Sequence, residues 1–420
     1  MSLFLSAPLS SALRRCTPAL RRATGGLAAA PCQAVPSRTF IDVKRLLGES
    51  GPEPPSAGQL LAEYRSMTAE DAARCRSPPR RCSMLARDFV DDSLYNPHYG
   101  YFSKQATIFT VEDDEGFAFN SCRDTLEFMN RIGARYAEIE GDLNDPWYGY
   151  AIAKYIATEY KLNHFPQEDL VIYEIGAGNG TLMLNVLDYL RDNEPAVYKR
   201  TQYRIIEISP KLAERQTQRH EVRDVRDAHH GRITIVNRSI FDWDQPVTES
   251  CFFIAMEVID NFAHDVIRYN VKTGEPMQWF PLAPNLTEPE FLPTKALLLL
   301  EKLRDYFPRH RLVLSDFYTL PDAVPGVDAP VVQTRYQRTM VPCSTYLVQP
   351  GWFDIFYPTN FELLRDVYRL VCRSSRPANT TRIMGEREFL ERFADVERTR
   401  TISGENPMLD YYENNKFLLS

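Results

Sequence analysis

From residue 170 onward the chain alternates between two hydrophobic rhythms. Leu170 to Ile175 is an apolar run with the length and branching of a strand buried on both faces. Leu182, Met183, Val186, Leu187 and Leu190 then recur at spacings of three and four, the stripe of an amphipathic helix. The exchange repeats. Tyr203 to Ile208, Arg232 to Val236, Cys251 to Met256 and Arg311 to Phe317 read as further strands. Pro293 to Phe307 reads as a helix, with Ala296 to Leu300 as its buried cluster. Val331 to Val348 alternates in the manner of an antiparallel hairpin, and Phe361 to Val371 and Arg387 to Phe393 read as helices. Such alternation predicts an α/β fold: a mostly parallel, doubly wound sheet with an antiparallel C-terminal hairpin.

Upstream of residue 170 the pattern is more broken. Glu49 to Gly58 is a Pro/Gly linker, Leu60 to Tyr64 starts a short helix, and the Pro/Arg cluster Arg74 to Arg81 interrupts the chain again. Residues 42–83 are therefore read as linker and short helix, and the main domain as 84–420. Its first feature is the aromatic loop Tyr95-Asn-Pro-His-Tyr-Gly-Tyr-Phe102, which suits packing on a core or the rim of a substrate site.

Charge changes the picture at the N-terminus. Residues 1–41 hold no acid and carry Arg14, Arg15, Arg21, Arg22 and Arg38 among serines, alanines and leucines, the composition of a mitochondrial transit peptide. Loss of that segment would take the formal net charge from −7 to −12, which disfavours nucleic acid as a partner. No apolar stretch approaches the ~18 residues of a membrane span. The 8 cysteines form no Cys-x-x-Cys pair, and His229-His230 has no third ligand placed nearby, so no metal site is expected.

The chemistry gathers at the end of the first strand. Glu174-x-Gly176-x-Gly178-x-Gly180 joins strand to helix, where backbone amides can receive a nucleotide-like ligand. The dinucleotide fingerprint is Gly-x-Gly-x-x-Gly, which seats a pyrophosphate. A carboxylate at Glu174 would repel that group and suits a cofactor with ammonium and sulfonium charges; the pattern resembles motif I of the class I S-adenosyl-L-methionine methyltransferases. Glu207, at the tip of the second strand, is placed to bond ribose hydroxyls. Glu257 and Asp260, three apart after the fourth strand, lie where ligands of open α/β sheets bind.

Several stretches together resemble the MidA (DUF185) family of mitochondrial and bacterial methyltransferases. They are the loop ending in Tyr99-Gly100-Tyr101, the segment Glu174 to Leu182, Arg204-Ile-Ile-Glu-Ile-Ser-Pro-Lys-Leu-x-x-x-Gln216, and Pro350-Gly-Trp-Phe-Asp-Ile355 with Asn360-Phe361. The motif after the fourth strand departs from the family's, with Met256 where it has Asn.

The resemblance implies a class I Rossmann-like methyltransferase fold with a substrate-side N-terminal extension carrying Tyr99, Gly100 and Tyr101. It also implies cofactor contacts from the glycines and Glu207, with Asp242 reaching the adenine amino group. By the same resemblance the activity is protein arginine methylation in the mitochondrial matrix, supporting assembly of respiratory complex I on one of its subunits. Chemistry agrees with two acids at Glu257 and Asp260. An arginine stays protonated, and carboxylates can grip its guanidinium, aim one nitrogen and accept a proton. The alternatives left open are methylation of another side chain or a small molecule, and a non-catalytic assembly chaperone that binds the cofactor. Oligomeric state is not legible in the sequence.

Overall fold

The computed structural model describes residues 64–104, 119–138, 146–222, 229, 231–278, 286–321, 323, 328–336, 339–373, 380–410 and 413–420. The predicted transit segment, the Pro/Gly linker, residues 60–63 of the predicted short helix and His230 lie outside them. Tyr64 is a bend, and the short helix of this region is Ala69–Ala73.

Seven strands build the central sheet: β1 (Leu170–Ile175), β2 (Thr201–Glu207), β3 (Ile233–Asn237), β4 (Cys251–Met256), β5 (His310–Phe317), β6 (Arg382–Gly385) and β7 (Asn415–Leu419). Their order is β6-β7-β5-β4-β1-β2-β3. All pairings among β1 to β5 are parallel, and β7 runs antiparallel to both its neighbours.

The principal helices are α1 (Ala86–Tyr95), α2 (Pro146–Asn163), α3 (Thr181–Asn193), α4 (Pro210–Val222), α5 (Thr294–Tyr306), α6 (Phe361–Val371) and α7 (Glu386–Phe393). The predicted hairpin is present as Val331–Tyr336 with Thr339–Cys343, but it pairs with Asp354–Phe356 in a separate three-stranded sheet. The antiparallel strand of the central sheet is β7, the last element of the chain.

Successive side chains of a strand point to opposite faces, and here both faces are covered. Leu170 and Ile172 of β1, Phe252 and Ile254 of β4, and Phe417 and Leu419 of β7 pack against α2, α3 and α7. Val171, Tyr173 and Ile175, with Phe253, Leu312, Leu314 and Leu418, pack against α5 and α6. That double burial is why the strands read as unbroken apolar runs. α5 is less buried than its sequence suggested: Ala296, Leu299 and Leu300 face the core, while Leu297 and Leu298 are exposed.

Register brings the functional positions level. Ile175 lies opposite Ile206 on one side and Ala255 on the other, and Met256 lies opposite Ser315. The carboxyl ends of β1, β2 and β4 therefore finish in one row, and whatever follows them shares one edge of the sheet. A third core covers that edge, where Val90 and Leu94 of α1 pack with Ala263, Phe291, Val332, Ile355 and Tyr357.

Candidate active site

The loop after β1 is shaped by backbone conformation. Gly176, Gly178 and Gly180 have φ of 69°, 55° and 75°, values open to glycine and costly to any residue with a Cβ. Gly180 closes the turn by donating to the Ala177 carbonyl at 2.8 Å. A Cβ on Gly176 would stand 2.5 Å from Cγ2 of Val258, so the loop after β4 is pressed against the bare backbone of the loop after β1.

Two side chains tie this loop to β2. Nε2 of Gln216, on α4, donates to the Gly178 carbonyl at 2.8 Å and to Oε2 of Glu207 at 3.1 Å. The backbone amide of Ser209 donates to Oε1 of Glu207 at 2.8 Å. Burial raises the pKa of Glu207 against the pull of these donors. Glu174, also buried, accepts from the Tyr203 hydroxyl at 2.8 Å. Asp242 ends a single helical turn after β3 and is exposed. The residues present fit S-adenosyl-L-methionine: bare backbone for close approach, two carboxylates for its cationic and hydroxyl groups, and Asp242 free of core packing at the sheet edge.

The loop after β4 is strained. Glu257 has φ of +51°, in the left-handed region that a non-glycine residue occupies at a cost of about 1–3 kcal/mol. Its amide is anchored on the Ser315 carbonyl at 2.9 Å. Beyond it, Asp316 of β5 holds the turn Ile259–Asn261, its Oδ2 accepting from the amides of Ile259 at 3.0 Å and Asp260 at 3.1 Å. Nothing in the local sequence singled out Asp316; only the β4–β5 register places it beside this loop. The Asn261 amide donates to Asp354 at 2.9 Å and to the Ile355 carbonyl at 3.0 Å, docking the small sheet on the same turn.

Glu257 and Asp260 thus differ in environment. Glu257 is half-buried at the sheet edge, whereas Asp260 is 1% exposed. Burial, then the charge of Asp316, pushes the Asp260 carboxyl well above the usual range. Burial likewise raises Asp316 to about 7 despite its amide donors. A carboxyl whose pKa is higher folded than unfolded stabilises the protein most below its unfolded pKa. That contribution is lost as pH rises through the folded value. Stability should accordingly decline between pH ~4 and ~8. Asp260→Asn should flatten the decline and raise the melting temperature at pH 8, by roughly 1 °C for each kcal/mol relieved in a chain of this size. Thermal unfolding of both proteins at pH 5 and pH 8 checks this; identical pH profiles would remove the buried acid pair as its source.

The aromatic loop reaches the site by a residue other than those expected. Tyr99 is 1% exposed, and its hydroxyl donates to both oxygens of Asp92, at 2.7 and 2.8 Å. A Cβ on Gly100 would stand 2.5 Å from the Asn96 nitrogen, and one on Gly351 would stand 1.7 Å from the Tyr99 carbonyl oxygen. This part of the motif is packing, and Tyr101 packs edge-on against Phe102. Tyr95, at the start of the motif, makes the contact: its hydroxyl donates to the Asn261 carbonyl at 3.2 Å.

His229 is buried between the Tyr198 hydroxyl at 2.9 Å and Asp188 at 3.2 Å. Among the described residues no cluster of three His, Cys, Asp or Glu side chains could hold a metal ion, and no helix is long and apolar enough to cross a membrane.

A family described as "Putative S-adenosyl-L-methionine-dependent methyltransferase" matches residues 151–285 and 275–378. The chain belongs to this family. Two solved structures from Burkholderia thailandensis share the fold. One native structure and one bound to S-adenosyl-homocysteine have TM-scores of 0.51 and 0.52 at 13% identity, each covering 87% of this chain and 94% of the other. A curated relative from Schizosaccharomyces pombe, "Protein arginine methyltransferase NDUFAF7 homolog, mitochondrial", is 24% identical over 79% of this chain and 85% of its own. This DUF185 protein is an S-adenosyl-L-methionine-dependent methyltransferase with the class I fold.

Proposed function

We propose that the protein is a mitochondrial protein arginine methyltransferase whose acceptor docks at the end of β4, where Glu257 receives it. The observation that carries this reading is the contact between the two loops. Val258 lies on Gly176, so the strained Glu257 sits beside the cofactor loop itself.

When bound, S-adenosyl-L-methionine supplies an electrophilic methyl group on a sulfonium. Gly176, Gly178, Gly180, Glu174 and Glu207 would hold it, with Asp242 toward the adenine. Glu257 would pair with the acceptor's charge, aim one nitrogen and take its proton. Asp260, deep under the loop and biased toward its neutral form, would shape the turn through its backbone.

The arginine acceptor is supported by the name of the fission-yeast relative, and the matrix location by that name and by the acid-free, arginine-bearing residues 1–41. A subunit of respiratory complex I is the proposed protein substrate, following the family resemblance. Mass spectrometry of mitochondrial proteins with and without this gene tests the function. Loss of methyl-arginine marks is expected, and an unchanged set would overturn it. Residues 1–41 fused to a reporter should carry it into the matrix, and replacing Arg14, Arg15, Arg21 and Arg22 by Glu should block import. A wild-type fusion left in the cytosol would overturn the location.

A further inference from the structure

On the face of the sheet covered by α2 and α7, beside Glu257, the carboxyl edge carries polar groups where a core should be apolar. Ser315 shares the inward side of β5 with Val313, and Asn415 shares the inward side of β7 with Phe417. Glu386 follows β6 as the first residue of α7, two positions after the inward-facing Met384. Ser315, Asn415 and Glu386 are 1%, 2% and 4% exposed. Ser315 Oγ, Asn415 Oδ1 and Glu386 Oε2 are buried and make no close hydrogen bond, while Asn415 neighbours Glu386 and Ser315 neighbours Tyr148 as hydrogen-bonding groups. Tyr148, near the start of α2, lies on the same face, its ring 6.4 Å from that of Phe417.

Buried polar atoms with lone pairs to spare, gathered on adjacent elements, are costly unless something enters to meet them. Unpaired, a carboxyl in such a place is held toward its neutral acid; a cation entering beside it would draw it to the charged form, since a buried charge is tolerated only when paired. Burial and then the Glu257 charge push Glu386 well above the usual carboxylate range, and Tyr148 is raised by burial and by both glutamates. The two acids therefore share one electrostatic neighbourhood, with Asn415 beside Glu386.

We propose that Glu386 is a second acceptor-binding residue: it and Glu257 face a common pocket, with Tyr148, Ser315 and Asn415, that takes a planar cation such as a guanidinium. The assignment rests on the acceptor site proposed at the end of β4, and replaces Asp260 with Glu386 as the partner of Glu257. A guanidinium has five N–H donors in a fixed plane, enough to meet two carboxylates and the neighbouring oxygens together. An ammonium, with three donors about one point, meets fewer of them.

The probe is ethylguanidinium, with ethylurea as its neutral counterpart of nearly the same shape, titrated by NMR into the full chain saturated with S-adenosyl-homocysteine. Wild type should bind the cation at least about tenfold more tightly than the urea. Glu386→Gln should lose about tenfold for ethylguanidinium, the ~1.5–3 kcal/mol of a charge-assisted bond, and little for ethylurea. Affinity for S-adenosyl-homocysteine should not change. Should that variant not fold, Glu386→Asp carries the same test, keeping the charge and shortening its reach. If Glu257→Gln weakens the cation and neither Glu386 variant does, Glu386 is overturned and the acceptor site stands. If the wild type does not distinguish the two probes, or no variant at either position alters binding, the acceptor site falls with it.

Discussion

Replacing Gly178 by valine is expected to abolish cofactor binding while leaving the fold in place. At φ of +55° a β-branched residue is a genuine outlier, and the left-handed conformation alone costs roughly 1–2 kcal/mol. The larger effect is positional. The Gly178 carbonyl is held by Gln216, which also holds Glu207, so a shift of the loop here moves the candidate ribose carboxylate as well. Calorimetry with S-adenosyl-L-methionine should show no measurable binding, and circular dichroism should match wild type. Retained binding would remove this loop as the cofactor site. Because the strand before the loop is buried on both faces, the damage should stay local.

Glu257→Gln is expected to cut methyl transfer at least about tenfold with cofactor affinity nearly unchanged. The substitution keeps the shape and removes the charge. Losing one charge-assisted bond to an ionised acceptor is worth ~1.5–3 kcal/mol, and each 1.36 kcal/mol is tenfold in rate. Positive φ at this position is tolerated by Gln about as well as by Glu, so backbone strain does not confound the comparison.

The same variant separates enzyme from chaperone. In cells, methyl-arginine marks and respiratory-complex assembly should fall together if methylation is what assembly requires. Normal assembly with the marks gone would mean that the protein assists assembly by binding alone. Normal assembly with the marks intact would show that Glu257 is not the acceptor residue.

Much of this arrangement was legible along the chain because it is written in local rhythm. Apolar runs of strand length exchanged with stripes at spacings of three and four, and each of β1 to β5 lies within two residues of its predicted bounds. The glycines on alternate positions announced the turn, since only a glycine takes φ near +70° without penalty. The positions of Glu207 and Glu257 were readable for a related reason: each stands at the end of an apolar run, where strand ends of such sheets gather at one edge.

What the sequence could not decide depends on which strands become neighbours. β6 and β7 are short and lie far from β5 along the chain, so no local period marks them as the strands completing the central sheet. Tyr99 looked like a rim residue because aromatic rings serve packing and binding alike. Only tertiary contact commits its hydroxyl to Asp92 and leaves Tyr95 to meet the turn after β4. Asp260 stands three residues from Glu257 in the sequence, yet its amide is held by Asp316 and its side chain is buried under the loop. Glu386 carried no signal, lying 129 positions beyond Glu257. Strand pairing through β5 and β7 brings these two carboxylates to the same edge, and that pairing is a property of the folded sheet alone.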